Sequence, residues 1–131
     1  MRANNRLLLI TRIGAEQVPA ILPHLIMAVQ GTHIPVIWSC DPMHGNSVIT
    51  KKGIKTRHVE AIIAELMQTQ AIHQQFGQRL SGVHLEMTSE AVAECIGGQC
   101  QWQENDLHTA YTSLVDPRLN PQQAIEVLRK V

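Results

Sequence analysis

The sequence has no excess of charge of either sign, since eleven lysine and arginine residues balance eleven aspartate and glutamate residues among 131. Non-specific binding of nucleic acid or of an anionic membrane normally requires a basic excess, so we expect neither as a partner. Cysteine is also scarce, with three residues. This odd, small number fits a reducing compartment better than a disulfide-stapled secreted module, and we therefore expect a cytoplasmic protein.

Long hydrophobic runs are absent as well. The first six residues are polar in character, and the apolar run that follows at 7–11 is too short for a signal-peptide core or a membrane span. We therefore expect no targeting segment. Apolar residues make up 44% and charged residues 17% of the chain, which is typical of a globular domain with one hydrophobic core.

Four short segments have the pattern of β-strands, and each precedes a segment with helical features. The strand candidates are Leu7 to Thr11, Ile34 to Trp38, Gly82 to Met87 and Tyr111 to Val115. The helix candidates run from Glu16 to Gly31, from Val59 to near Gly77, from Thr88 or Ser89 to Gly97, and from Pro121 to Val131. This alternation predicts an α/β fold of four parallel β/α units in one domain over residues 1–131.

Three local signals refine this prediction. Asn120 followed by Pro121 is typical of an N-cap and the first helical position of the last helix. Pro23 lies inside the first helix candidate and predicts a kink there. The segment from Gly45 to Arg57 contains glycine and lysine, and it predicts a loop between the second strand and the second helix.

Residues able to bind metals or anions follow the carboxyl ends of the strand candidates. They are Arg12 after the first, Asp41 and His44 after the second, Glu86 in the third and Asp116 after the fourth. Because parallel strands present these ends at one edge, we expect the side chains to converge. One imidazole and two carboxylates suit Mn, Fe, Co or Zn. Alternatively, Glu86 forms an ion pair with Arg12 or Arg118, and Asp116 only starts a turn.

The basic residues near this edge, and one of the cysteines, each have two interpretations. Arg12 is suited to bidentate binding of phosphate or carboxylate, or it forms a structural salt bridge. Lys55 and Arg57, two apart before a helix, can flank an anion or can simply be solvated. Cys40 is a candidate ligand, but a small buried residue is the favoured interpretation. Cys95 and Cys100 are too loosely spaced for a zinc or redox pair.

Six blocks of the sequence, in order, resemble the closing motifs of class II 3-deoxy-D-arabino-heptulosonate 7-phosphate (DAHP) synthases. The most specific is CDPMHGN at 40–46, and the others lie at 11–15, 55–57, 82–88, 94–98 and 116–120. The resemblance implies a metal-dependent (β/α)8 barrel that condenses phosphoenolpyruvate with erythrose 4-phosphate, the entry step of the shikimate pathway of aromatic biosynthesis.

The resemblance also implies roles for individual residues. His44, Glu86 and Asp116 match three of the four ligands of the family's divalent metal, such as Mn or Co. Arg12 matches an arginine that binds phosphoenolpyruvate, and Lys55 matches a lysine that binds substrate phosphate. We assign Arg57 to the same substrate-binding group.

The resemblance covers only strands five to eight of the family's barrel. The fourth metal ligand, a cysteine of the first strand, has no counterpart here, and Val115 stands where the family typically has cysteine. A barrel of this type takes about 250 residues, so we expect a half-barrel that is inactive or weakly active alone and is completed by a homodimer or another partner. The alternative is a non-catalytic protein that binds a metal or phosphorylated metabolite, or that docks on a full-length synthase.

Overall fold

The computed structural model describes residues 7–131. The polar segment 1–6, which entered the expectation of no targeting segment, lies outside the described residues. The described chain begins with β1 (Leu7–Thr11), α1 (Val18–Gly31) and β2 (Val36–Cys40). It continues with β3 (Ser47–Ile49), β4 (Lys55–Arg57), α2 (Val59–Gln75), β5 (Leu80–Val83) and α3 (Pro121–Leu128).

A parallel three-stranded sheet in the order β1-β2-β5 forms the centre of this fold. The register places Leu9 beside Trp38, and Trp38 beside Leu80. This sheet confirms the prediction of an α/β fold with parallel strands. The predicted loop between β2 and α2 contains an additional antiparallel hairpin of β3 and β4, in which Val48 faces Thr56.

The predicted fourth strand, Tyr111 to Val115, does not form, and this part of the prediction of four β/α units is wrong. The backbone N–H groups of Thr112 and Ser113 donate to the Glu94 carboxylate at 3.1 and 2.8 Å instead of to a neighbouring strand. A short parallel bridge forms further along the chain, between Met87 and Leu119. The chain in this region is therefore held by a side chain rather than by a strand ladder.

The helix predicted between Thr88 or Ser89 and Gly97 is also absent. The five consecutive residues 92–96 are all buried, which a one-sided helical stripe would not achieve. Their backbone groups bond to distant segments: Ala93 N–H donates to Ala110 O at 3.1 Å and Ile96 N–H to Arg57 O at 2.8 Å. An irregular but buried segment results.

The other helices form close to the predicted bounds. Asn120 caps α3 by accepting the N–H of Gln123, whose side chain returns the bond, and Pro121 stands in the first turn as predicted. Helix α1 runs through Pro23 without interruption. Among residues 7–131, no helix has both the length and the apolar character needed to cross a membrane.

The core lies between one face of the sheet and helices α1 and α2. Leu9, Trp38 and Cys40 belong to this face. Fully buried residues of the helices pack on it, each contributing about 1.5–3 kcal/mol by burial; they include Leu22, Ile26, Ile62 and Leu66. Side chains alternate along a strand, and Leu8 and Ile10 of β1 remain 51% and 45% exposed. The opposite face of β1 is therefore apolar, and no part of residues 7–131 covers it.

Candidate functional site

Three residues converge at the carboxyl end of the sheet. His44 lies in a short 3-10 turn after β2, Glu86 follows β5, and Asp116 lies in the loop before α3. One potential ligand atom from each lies within 4.8 Å of the other two. His44 Nε2 is 3.3 Å from Glu86 Oε1 and 3.7 Å from Asp116 Oδ2. The predicted convergence is confirmed, and these residues form a group able to hold a metal ion.

The ring of His44 is oriented by Asp41. One carboxylate oxygen of Asp41 accepts the N–H groups of Met43 and His44 at 3.0 and 3.2 Å, which closes a tight turn after β2. The other oxygen lies 2.7 Å from His44 Nδ1. Because Nδ1 is engaged in this way, Nε2 is the nitrogen that faces the two carboxylates. Such a carboxylate behind a histidine fixes the ring and increases its basicity as a ligand.

Glu86 is held by Arg57, whose side chain is completely buried. The guanidinium donates to Glu86 Oε2 and to the Pro117 carbonyl, both at 2.5 Å, and to Ser47 Oγ at 3.0 Å. Arg57 NH2 has no hydrogen-bond partner among residues 7–131 and lies 3.9 Å from Asp116 Oδ2. A buried arginine requires such pairing, and here it leaves Glu86 Oε1 facing His44.

Asp116 is bound by Lys55, whose ammonium group donates to Oδ1. This hydrogen bond is the main cause that lowers the pKa of Asp116 below its ordinary value, against a smaller opposing effect of burial. Asp116 is therefore ionised at neutral pH, as a metal ligand must be. The position of Lys55 is fixed in part by Tyr111, whose hydroxyl donates to the Lys55 carbonyl at 2.9 Å.

Arg12 lies at the same edge with its side chain 55% exposed. Its Nε is 3.4 Å from Asp41 Oδ2, so the ion pair considered for Arg12 forms with the residue that orients His44. The alternative in which Glu86 pairs with Arg12 or Arg118 is wrong, because Arg57 occupies Glu86. More than half of the Arg12 side chain is exposed beside the metal group, where an anion can reach it.

The loop that carries Asp116 is organised by Glu94, which is fully buried. Its carboxylate accepts the N–H groups of Thr112, Ser113 and Arg118, and it also binds the Arg118 guanidinium at 2.8 and 3.0 Å. Burial alone would raise the pKa of Glu94, but the bonds from Arg118 and the backbone together lower it. No role was predicted for Glu94 from the sequence, although a carboxylate between apolar Ala93 and Cys95 is a signal of buried pairing.

The cysteines lie outside the metal group. Cys40 is buried in the core with its Sγ 3.7 Å from Thr69 Oγ1. Burial raises the pKa of Cys40 and of Cys95 to about 12, so both remain neutral thiols. The interpretation of Cys40 as a small buried residue is therefore confirmed. Cys100 is partly exposed, and its thiol lies 3.0 Å from Gln122 Oε1.

Comparison with known proteins assigns the whole chain to one protein family. Residues 1–131 match the Class-II DAHP synthetase family. The chain is 47% identical over 128 residues to a phospho-2-dehydro-3-deoxyheptonate aldolase of Neurospora crassa, and these residues are 96% of this chain and 27% of the relative. It is 43% identical over 122 residues to an enzyme of the same name from Mycolicibacterium smegmatis, covering 93% of this chain and 26% of that relative. The chain thus spans about a quarter of the length of these curated relatives.

Proposed function

Because the chain belongs to the class II DAHP synthetase family, we propose that it supplies one part of a metal-dependent site that condenses phosphoenolpyruvate with erythrose 4-phosphate in the cytoplasm. The observation that supports this proposal most directly is the group of His44, Glu86 and Asp116, whose ligand atoms lie within 4.8 Å of one another. These atoms come from three separate loops, so their approach reflects the fold rather than sequence proximity.

The donor set fits a divalent ion such as Mn²⁺ or Co²⁺, since it combines one imidazole nitrogen with two carboxylate oxygens. His44 would bind through Nε2, because Asp41 occupies Nδ1. Glu86 and Asp116 would each supply an oxygen. When bound, such an ion polarises the carbonyl oxygen of an aldehyde as a Lewis acid.

The basic residues beside the metal group fit the two anionic substrates. Arg12 is accessible and suits the carboxylate or phosphate of phosphoenolpyruvate, and Lys55 suits a substrate phosphate. Arg57 belongs to the same group, and its NH2 atom bonds to no residue of the described chain. Since Lys55 is bound to Asp116 and Arg57 to Glu86, substrate and metal binding share one charge network.

We further propose that this site is completed by a second copy of the chain or by another partner. Its support is the uncovered apolar face of β1, together with Leu114 and Val115 beside Asp116, which are 100% and 77% exposed. Exposed edges and patches of this kind mark association surfaces. A homodimer that closes a barrel by pairing β1 with a strand at Tyr111 to Val115 is excluded, because this segment forms no strand in the described chain. Association through β1 itself remains compatible with the fold.

A single set of measurements tests this proposal. We expect stoichiometric Mn²⁺ binding in an isothermal titration of the purified chain, and its loss in His44→Ala. We expect no DAHP formation by the monomeric chain, because loss of substrate orientation can cost on the order of 7 kcal/mol of barrier lowering. Wild-type and H44A proteins that bind Mn²⁺ equally well would refute the metal group.

The second candidate is a non-catalytic metal-binding or docking protein, and the exposed apolar side chains of Leu8 and Ile10 on β1, which suit contact with another protein, favour it. The same DAHP-formation assay, repeated with a full-length synthase present, separates the two. A DAHP-formation rate that rises above that of the synthase alone when the wild-type chain is added, but not when H44A is added, supports the enzyme. A chain that binds the synthase but leaves its rate unchanged with either variant supports the docking protein.

A further inference from the structure

A buried carboxylate on α2 connects the loops that carry Arg12 and His44. Glu65 is fully buried. Its Oε1 accepts the N–H groups of Ile13 and Gly14, both at 3.0 Å, and its Oε2 accepts an N–H of the Asn46 side chain at 2.7 Å. We propose that Glu65 is a positioning residue that sets Arg12 relative to His44. This inference rests on the proposed function for its catalytic meaning, but its geometry stands on these contacts.

The contacts fall directly beside the two functional residues. Ile13 and Gly14 are the first residues after Arg12, and Asn46 is two residues after His44. Asn46 strengthens the connection, because its Nδ2 also donates to Pro42 O at 2.8 Å and its Oδ1 accepts the Ala15 N–H at 3.0 Å. The two loops therefore share one set of hydrogen bonds with Glu65 at its base.

The two loop backbones also touch each other without any side chain between them. A Cβ atom placed on Gly45 would lie 2.3 Å from Gly14 N, and one placed on Gly14 would lie 2.7 Å from Gly45 O. A displacement of Gly14 is therefore passed to Gly45 by direct contact. Since Gly45 follows His44, loss of the Glu65 bonds to one loop must also disturb the other.

A carboxylate is needed at this position because all of its partners are donors. Both oxygens of Glu65 accept N–H groups. A glutamine has the same size but only one acceptor, so its NH2 group would face either the backbone amides or the Asn46 amide. The cost of one unpaired buried donor corresponds to roughly a tenfold change in an equilibrium constant, or more. Glu65→Gln thus removes the positioning contact without opening a cavity.

Glu60 provides a matched control on the same helix. Its carboxylate also accepts a backbone N–H, that of Gly98 at 2.7 Å, but Gly98 lies in a different segment from Arg12 and His44. Glu60→Gln therefore changes the same chemical group, with a similar bond, away from the two loops. A general effect of removing charge from α2 would appear in both variants.

The experiment compares wild type, E65Q and E60Q in two measurements. Amide hydrogen exchange by NMR follows the N–H groups of Ile13 and Gly14 and the Asn46 side chain, and a titration followed by electron paramagnetic resonance gives the affinity for Mn²⁺. In E65Q we expect at least one of these hydrogen-bonded groups to exchange about tenfold faster, and the Mn²⁺ affinity to fall by about tenfold. The amides inside α2 should stay protected. E60Q should match wild type in both measurements.

Two results would overturn the inference: unchanged exchange at all three groups in E65Q, or faster exchange there with unaltered backbone chemical shifts of Arg12 and His44.

If E65Q loses protection throughout α2, Asn46→Ala replaces it, since this variant removes the partner on the loop and leaves the helix intact. It should weaken Mn²⁺ binding to a similar degree, and unchanged binding would contradict the inference. A wild-type chain that binds no Mn²⁺ contradicts the proposed function instead, and exchange and shifts then decide the role of Glu65.

Discussion

Replacing Gly45 by alanine is expected to damage the candidate metal site through the backbone. The new Cβ would lie 2.3 Å from Gly14 N and 2.7 Å from the Ile13 carbonyl carbon, whereas ordinary contacts of a Cβ fall between 3.4 and 4 Å. The overlap therefore exceeds 1 Å. Both neighbours are backbone atoms that cannot rotate away, so the turn that carries His44 or the loop after β1 must move.

The size of this effect can be worked out from similar substitutions. Forcing additional volume into a packed site typically costs about 1–3 kcal/mol of unfolding free energy, and each 1 kcal/mol lowers the melting temperature by roughly 4 °C in a chain of this length. We expect Gly45→Ala to melt about 4–12 °C below wild type. It should also bind Mn²⁺ at least about tenfold more weakly, because the ligand geometry is disturbed.

Gly31→Ala is the matched control. Gly31 ends α1, and a Cβ placed there meets nothing within 4 Å. Alanine is favoured over glycine in helices by about 1 kcal/mol or less, so this variant should equal or slightly exceed wild type in stability and should bind Mn²⁺ normally. Thermal melting followed by circular dichroism, together with a Mn²⁺ titration, provides both measurements. A G45A protein with the melting temperature and Mn²⁺ affinity of wild type would refute the reasoning.

Three further predictions concern the residues around the site. Asp41→Asn should weaken Mn²⁺ binding by about 10- to 100-fold in calorimetry, because the neutral amide is a poorer partner for an imidazole ligand; equal affinity would contradict the orienting role. The pKa of Glu94 in the folded protein is lower than its ordinary value near 4.5. Ionised Glu94 therefore stabilises the fold at pH values above 4.5, and this stabilisation is lost as the pH falls through the lowered pKa. Urea denaturation should therefore show Glu94→Gln less stable than wild type at pH 7, with the difference shrinking below about pH 4, and a difference that grows in acid would be the wrong sign. Ellman's reagent should modify Cys100 rapidly in the native protein, and Cys40 and Cys95 only after denaturation, since burial raises their pKa to about 12.

The sequence predicted those parts of the fold that depend on local patterns. The apolar segment of β1, the helical stripes of α1 and α2, and the cap formed by Asn120 each carry their signal within a few residues, and each is present. Tyr111 to Val115 has equally strand-like residues, but the Glu94 carboxylate, 18 and 19 positions earlier, accepts the N–H groups of Thr112 and Ser113. A sequence pattern confined to residues 111–115 cannot reveal this contact.

The candidate site, like the fold, was predicted only in part. His44 and Glu86 were predicted because one follows a strand candidate and the other lies near the end of one, and topology brings such positions to one edge. Asp116 was predicted after a strand candidate that does not form, and hydrogen bonds to Glu94 hold its loop at this edge instead. The contacts that orient them were not predicted, because they join residues far apart in sequence. Arg57 meets Glu86 across 29 positions and Lys55 meets Asp116 across 61. Both basic residues were identified as anion-binding candidates, but only the structure shows which carboxylates they contact.

A charged side chain contacts each potential ligand and orients it. The requirements for metal binding therefore differ from those for turnover. Asp41 orients His44, Arg57 holds Glu86, and Lys55 binds Asp116. All of these contacts lie within the described chain, so the geometry of the metal group does not depend on a partner. The basic residues that would hold substrate are different, because Lys55 and Arg57 are already engaged and Arg12 stands exposed at the edge. We therefore expect a partner to change substrate affinity and turnover far more than Mn²⁺ affinity. A chain whose Mn²⁺ affinity rises a hundredfold on association would contradict this separation.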